Sequence, residues 1–496
     1  MPRIRERLRK LNGKSIDEVR VRTAQPDDAP TAPNQGLTAN SDSLLGGLTT
    51  RLRGLAHGDS IAGKLARGAL WVFSINVAGT LIAFLVQVLL ARMLGPADYG
   101  LYLYTLGVFN VVLVVAKADW DHVSLRFLSA YAAQQNRALL RGFLRRSDVI
   151  VGIASGFAAA LAACLVWIFR HHLSPSLAAA YLVACALLPI TAFLQVKALS
   201  LQGLRRVVAS QAPLNIVRPS LFAAGVVLAA FVFDLRLTAA SALLINLAAT
   251  AVVLLVSSAY LHRATAKEIS GVEPQYATRE WLRVAWGMLV VSAAQFILSQ
   301  SFDVVVVGSL LGTTVAGYYG AASQLAGLCG FGVNAVLFMA APLISELFAS
   351  GEKAKLQRLI TLTGRLNVAV SLPVVLALVF AGRLILSWYG PTFVVGYPVL
   401  VVLVAGQFTG AMLGALAGFL MTMTGHHDRA AVIIGGSALL YLLLTFVLTH
   451  MFGAVGTAFS TVIAYLARHV VLELEIRKRL GIEAFPFFRP ATQSSI

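Results

Sequence analysis

Between Ala69 and Leu472 the chain falls into twelve apolar runs, at about 69–91, 99–117, 149–169, 177–198, 213–233, 238–260, 284–310, 317–340, 366–387, 398–422, 430–449 and 453–472. A helix rises about 1.5 Å per residue and a bilayer's hydrocarbon core is about 30 Å thick, so each run is long enough to cross it. Hydrocarbon offers backbone amides no partner, and runs of this length therefore span as helices. Hydrophobic residues make up 58% of the chain and charged residues 12%, outside the range of soluble domains.

The run 284–310 ends in Leu311-Gly312-TTVA-Gly317-Tyr318-Tyr319, and the pattern Leu94-Gly95-PADY-Gly100-Leu101-Tyr102 precedes it by 217 residues. Six spans fit in that offset. The expected fold is all-α: twelve transmembrane helices in two six-helix lobes, 67–262 and 284–472, related by an internal repeat. Each repeated turn joins its lobe's first two helices. A basic arm (1–66), a cytoplasmic linker (263–283) and a tail (473–496) complete the division.

Threading the spans alternately puts 35 of the 40 Lys and Arg residues on one side. The others are Arg92, Arg170, Arg236 and Arg383 at the far ends and Arg218 within a span. Positive charge stays in the cytoplasm, so both termini are expected there. The formal charge of +18 is spread between spans instead of gathered on one module, which argues against a nucleic-acid partner. No apolar stretch follows Arg3, Arg5, Arg7, Arg9 and Lys10, so a signal peptide is not expected; a disordered or partly helical arm on anionic lipid is. Gly58-DSIA-Gly63-Lys64 matches part of a phosphate-binding loop, but Leu65 replaces the Ser or Thr and no strand precedes it. The loop 119–148 alternates basic and apolar residues, fit to lie at the lipid surface or to cap helices.

Polar residues inside the spans are the candidate site. Ser292, Gln295, Ser299 and Asp303 fall three or four apart, one stripe on a continuous helix. A carboxylate at mid-membrane costs about 2.5–3.5 kcal/mol, so Asp303 marks a substrate path, an ion site or a buried pair, unless it is a hydrogen-bonded helix contact. The repeat-related span carries Asn76, Thr80 and Gln87. Both stripes suit a central cavity, and both equally suit helix–helix adhesion. Arg218 can snorkel to the headgroups or hold an anion with its planar fork of donors. Lys117, Arg126 and Lys197 at inner helix ends form either a cationic approach for a phosphorylated headgroup or ordinary topology charges. The pairs Gly152/Gly156 and Gly414/Gly418 are expected in helix packing, and Cys164, Cys185 and Cys329 as small core residues. Paired carboxylates, HExxH, GxSxG and CxxC are absent and the histidines are scattered, so neither an enzyme nor a metal site is expected.

The motifs LARMLGPADYGLY (90–102), DHVSLRFLSAY (121–131), LQGLRR (201–206), NIVRPS (215–220), FDVVVVGSLLGTTVAGYYGAASQL (302–325), MTMTGHHDRAAVIIG (421–435) and MFGAVGTAFSTVIAY (451–465) resemble, in that order, Wzx-like polysaccharide transporters of the multidrug/oligosaccharidyl-lipid/polysaccharide exporter superfamily. The resemblance covers about 65–475. It implies a flippase, not an enzyme, that moves a polyprenyl-pyrophosphate-linked oligosaccharide across a bacterial plasma membrane by alternating access, without a cofactor. It supports Arg126 and Arg218 for the headgroup and Asp303 for coupling to a proton or sodium ion, and it implies membrane lipids, polysaccharide polymerase and glycosyltransferases as partners. The alternative is a multidrug or small-solute cation-coupled antiporter of the same architecture.

Overall fold

The computed structural model describes residues 61–413, 417–423 and 427–483. The arm up to residue 60, most of the loop-like stretch at Gly58, Gly414 and the tail beyond 483 lie outside them.

Helix is the regular structure throughout the described residues. We number α1 (Ile61–Lys117), α2 (Trp120–Ala133), α3 (Arg137–Ile168), α4 (Pro175–Gly203), α5 (Val207–Val232), α6 (Ala239–Ile269), α7 (Thr278–Ile297), α8 (Gln300–Leu311), α9 (Thr313–Ala349), α10 (Lys353–Ser387), α11 (Pro391–Met412), α12 (Ala417–Met423) and α13 (His427–Leu480). The first and last each hold two spans. α1 is broken at Gly95 (φ 73°, ψ 174°) and α13 at Gly453 (φ 59°, ψ −141°), conformations that side chains with a Cβ avoid. With α7 and α8 as one bent crossing and α1 and α13 each counted as two, the described residues form twelve spans in two lobes.

The repeated turn is built from its glycines. Gly312 (φ 94°) separates α8 from α9 just as Gly95 divides α1. The second glycine of each copy faces the other: a Cβ on Gly100 would overlap the Thr313 carbonyl, and one on Gly317 would lie 2.5 Å from the Pro96 carbonyl. The two motif copies therefore meet at the less basic ends of their spans, where only glycine lets the backbones approach so closely.

Around that contact one core draws on both lobes: Leu90, Tyr99, Tyr102, Tyr319, Leu325, Tyr389, Phe393 and Leu400 are all buried in it. It reaches the less basic side, where Tyr99 and Tyr318 meet Phe393 edge-on with centroids at 5.7 and 5.6 Å and Arg92 donates to the Trp388 carbonyl at 2.5 Å. On the basic side the core divides. One cluster joins the first lobe to Trp281 and Ala285 of α7; another, with Ile344, Ile360, Leu420, Leu472 and Ile476, belongs to the second lobe alone. The core is thus shared between the lobes at the less basic end and divided into separate clusters at the other.

Three expectations are corrected. Residues 284–310 do not form one straight helix: α7 ends at Ile297, Ser299 is extended (φ −94°, ψ 154°), and α8 leaves at 59°. The stripe is thus split, with Ser292 and Gln295 on α7 and Asp303 on α8. No proline or glycine lies between Gly287 and Gly308; α7 packs along α13 of the second lobe and also reaches the first through Ser292 on Asp119, while α8 is held in the second lobe through Asp303. Cys164 is exposed on α3 and is no core residue, because that helix turns its face outward, with Phe157 and Leu161 also exposed. Of the GxxxG pair on α3, Gly152 packs on the Phe193 ring at 3.3 Å as expected, but a Cβ on Gly156 would meet nothing among the described residues; Gly414 lies outside them.

The loop 119–148 caps helices. Its α2 buries Trp120, Val123, Phe127, Leu128 and Tyr131, and Trp281 lies edge-on to Phe143 at 4.9 Å and donates to the Tyr131 hydroxyl at 2.9 Å. The linker is held too: the Gln275 amide donates to the Ala138 carbonyl at 3.0 Å and Arg141 to the Val272 carbonyl.

Candidate functional site

Two charged groups within the spans, Asp303 in the second lobe and Arg218 in the first, each have the closing tyrosine of a repeated motif within reach. In the second lobe Asp303, on the first turn of α8, is fully buried. Tyr319 of α9 donates to its Oδ2 at 2.9 Å and Tyr441 of α13 to its Oδ1 at 2.6 Å. The Thr461 hydroxyl sits across both oxygens at 3.0 and 3.1 Å. Three hydroxyls from two other helices satisfy the carboxylate, which is what makes its burial tolerable. The set of hydroxyl and carboxylate oxygens is also suited to a hard cation or a proton.

In the first lobe the counterpart is Tyr102. Its ring stacks on Phe222 at 6.2 Å, its hydroxyl accepts from Asn246 at 3.5 Å, and the half-buried Arg218 guanidinium lies within its electrostatic reach. One motif position thus serves a carboxylate in one lobe and a guanidinium in the other.

The remaining candidates scatter. Asn76 accepts from Asn215 at 3.1 Å, and Asn215 donates in turn to Gln211, tying α1 to α5 beside Gly79, where a Cβ would strike the Asn215 backbone. Gln87 accepts from the Tyr99 hydroxyl at 3.2 Å. Gln295 is exposed on α7. Lys117 pairs with Asp121 and Lys197 with Asp148, both at 2.5 Å, while Arg126 is exposed on α2 with its guanidinium 5.9 Å from the Phe127 centroid. The structure therefore does not gather Lys117, Lys197, Arg126 and Arg218 into one cationic cluster.

A second polar knot closes the corner between α1 and α2. Asp119, in the left-handed region (φ 57°), accepts from the His122 ring at 2.8 Å and from Ser292 of α7 at 2.9 Å. Burial alone would raise the Asp119 carboxyl, but the hydrogen bond and charge of His122 with the Ser292 hydroxyl hold it below the usual value; the bond to Asp119 raises His122. Donor atoms of Asp119, Asp121 and His122 lie within 4.8 Å of one another, but the His122 bond to Asp119 and the Lys117 pair with Asp121 already answer much of that charge.

Tyr319, Tyr441, Thr461 and Asp119 escaped the sequence reading. A signal existed for the first alone: Tyr319 and Tyr102 close the two copies of the motif.

The sequence profile of the family described as polysaccharide biosynthesis protein matches residues 65–348. The chain belongs to that family. Among solved structures, this family member is similar to an inward-facing multidrug resistance MATE family transporter of the MOP superfamily, with TM-score 0.68 and 14% identity over 83% of this chain and 98% of that one. It is similar also to the lipid II flippase MurJ in an inward closed conformation, with TM-score 0.62 and 14% identity over 82% and 87%. A third is the MATE multidrug transporter DinF-BH, with TM-score 0.61 and 13% identity over 89% and 97%. At these identities the likeness establishes the fold. Comparison with curated proteins by sequence finds no match.

Proposed function

We propose that this polysaccharide-family protein flips a polyprenyl-pyrophosphate-linked oligosaccharide from the cytoplasmic to the outer leaflet of a bacterial plasma membrane, changing no covalent bond. The observation that carries this is the charge division on a repeated frame: Arg218 beside Tyr102 in one lobe, Asp303 beneath Tyr319 in the other. Pyrophosphate cannot cross hydrocarbon unaided. It needs a cationic donor at depth, and a guanidinium matches its oxygens two at a time. The core is divided on the basic side, from which a cytoplasmic headgroup arrives in this reading, and the ring cluster of Tyr99, Tyr318 and Phe393 packs the other end.

In this reading Arg126 biases the basic side toward anions, Lys117 being already paired with Asp121, while Asn76, Gln87 and Gln295 offer the sugar hydrogen bonds along α1 and α7. Asp303 takes a proton or sodium ion whose entry resets the lobes. Polysaccharide polymerase and glycosyltransferases of the same assembly route would receive and supply the cargo.

The test is reconstitution in proteoliposomes with a fluorescent polyprenyl-pyrophosphate oligosaccharide. Arg218→Gln should abolish flipping and Arg218→Lys should keep part of it, whereas Asp303→Asn should make the rate insensitive to pH and sodium gradients. Unchanged flipping in Arg218→Gln would remove the headgroup role, and unchanged gradient dependence in Asp303→Asn the coupling role. Efflux of an organic cation by a protein that flips no lipid would favour the antiporter instead.

A further inference from the structure

On the basic side a cavity of about 280 Å³ lies between the C-terminal ends of α2, α4 and α6. Two of its walls are turns of the same construction. At the first, Gln135 (φ 53°) ends α2 and the Asn136 amide bonds back to the Tyr131 carbonyl at 2.9 Å. At the second, Arg205 (φ 61°) ends α4 and the Arg206 amide bonds back to the Leu201 carbonyl at 2.9 Å. These are closed helix-ending loops with little freedom. Each delivers one arginine to the cavity, Arg137 from the first and Arg206 from the second. The third wall is the last turns of α6, which deliver Glu268.

The charges do not neutralise one another. Among the described residues no ion pair joins Glu268 to either arginine, and the Arg137 side chain makes no hydrogen bond; Arg206 donates to the Tyr260 hydroxyl at 3.3 Å. Two guanidiniums on one rim and a carboxylate across from them complement a group carrying a phosphate and an ammonium together. The floor is apolar, from Tyr131, Leu140 and Leu204, and exposed Val208, Val256 and Tyr260 continue from the rim onto the outer faces of α5 and α6. Acyl chains can follow those faces while the headgroup stays at the rim.

We propose that this cavity binds the phosphoethanolamine headgroup of an inner-leaflet phospholipid, with Arg137 and Arg206 on the phosphate and Glu268 on the primary ammonium. It is a second lipid site, distinct from the cargo path. A quaternary ammonium has no N–H to give Glu268, and a glycerol headgroup has no charge for it, so choline and glycerol lipids bind less well. Tyr131 also lines the cavity and receives the Trp281 bond from α7, so an occupant steadies the joint between α7 and the first lobe.

The full-length protein, stripped of lipid in detergent, is titrated with short-chain phosphatidylethanolamine, phosphatidylglycerol, phosphatidylcholine and free O-phosphoethanolamine, and the thermal midpoint is followed by tryptophan fluorescence. The ethanolamine lipid should raise the midpoint saturably, at a concentration about tenfold below that of the glycerol or choline lipid. Glu268→Gln should remove that preference and keep phosphatidylglycerol binding, and Glu268→Lys should invert it. Arg137→Gln should weaken both phospholipids. All three side chains are exposed, so the unliganded midpoints should stay at the wild-type value. Equal response to all three lipids, or an ethanolamine preference that survives Glu268→Lys, would overturn the site. Free O-phosphoethanolamine binding as tightly as the lipid would overturn a membrane source for its occupant.

Discussion

At Asp303 the chain buries a carboxylate completely and surrounds it with Tyr319, Tyr441 and Thr461. Removing the acid strands those hydroxyls, and each buried donor left without a partner costs about 1–3 kcal/mol. Asp303→Ala should therefore lower the thermal midpoint clearly more than Asp303→Asn, whose amide oxygen still accepts, when both are followed by tryptophan fluorescence in detergent. At the α1–α2 corner the pair Asp119–His122 titrates. The His122 value is raised above 6.5, so its contribution is complete below 6.5 and fades as pH climbs through the raised value; Asp119 is lowered below 3.8, so its contribution holds above 3.8 and fades as pH falls through the lowered value. The difference in midpoint between wild type and His122→Ala should then be largest between about pH 4 and 6.5 and shrink on the alkaline side. A difference flat across pH would remove the charge from that contact. Asp303 was legible because an acid within an apolar run is rare. Its partners were not, since a tyrosine or threonine in a membrane helix is ordinary until another helix sets a carboxylate beside it.

Among the elements, the break between α7 and α8 is the one that sequence could not supply. α7 is pinned to the first lobe by Trp281 in the Phe143 and Tyr131 cluster and by Ser292 on Asp119, while α8 is pinned to the second by Asp303. At the bend the Ser299 hydroxyl is buried without a partner among the described residues. Trp281→Ala removes a fully buried indole, a change that costs about 3–5 kcal/mol in a packed core. It should lower the midpoint strongly and expose α7 to hydrogen exchange, leaving exchange in α10 and α11 near wild type. Equal loosening of both lobes would show that the indole serves general packing instead of the α7 anchor. The glycine turns, by contrast, were readable: Gly95 and Gly312 take backbone angles that a repeated LG-x4-G-x-Y signature needs glycine for.

For the whole molecule, the joint core on one side and the split cores on the other define a seam along which lobes can part. Gly107 of α1 lies against Ser301 and Val305 of α8, so closely that a Cβ there would come within 2.6 Å of the Val305 side chain, which the Val305→Cys change trims, and 2.9 Å of the Ser301 carbonyl, which must give slightly. With Cys164, Cys185 and Cys329 replaced by serine, the pair Gly107→Cys and Val305→Cys should cross-link under mild oxidant. Transport in proteoliposomes should then fall to background and return on reduction. Full transport in the cross-linked state would mean that this seam never opens. The sequence by itself determined the membrane class, the all-helical spans and the doubling, because hydropathy, charge placement and a glycine turn are written locally along the chain and need no knowledge of neighbours. Only the tertiary structure decided that α7 packs on both lobes, that Lys117 and Lys197 spend their charge on nearby acids, and that Asp303 and Arg218 stand beside equivalent tyrosines. Those outcomes depend on which helices are brought together across hundreds of residues, and a side chain's partners are fixed by that packing, not by its spacing.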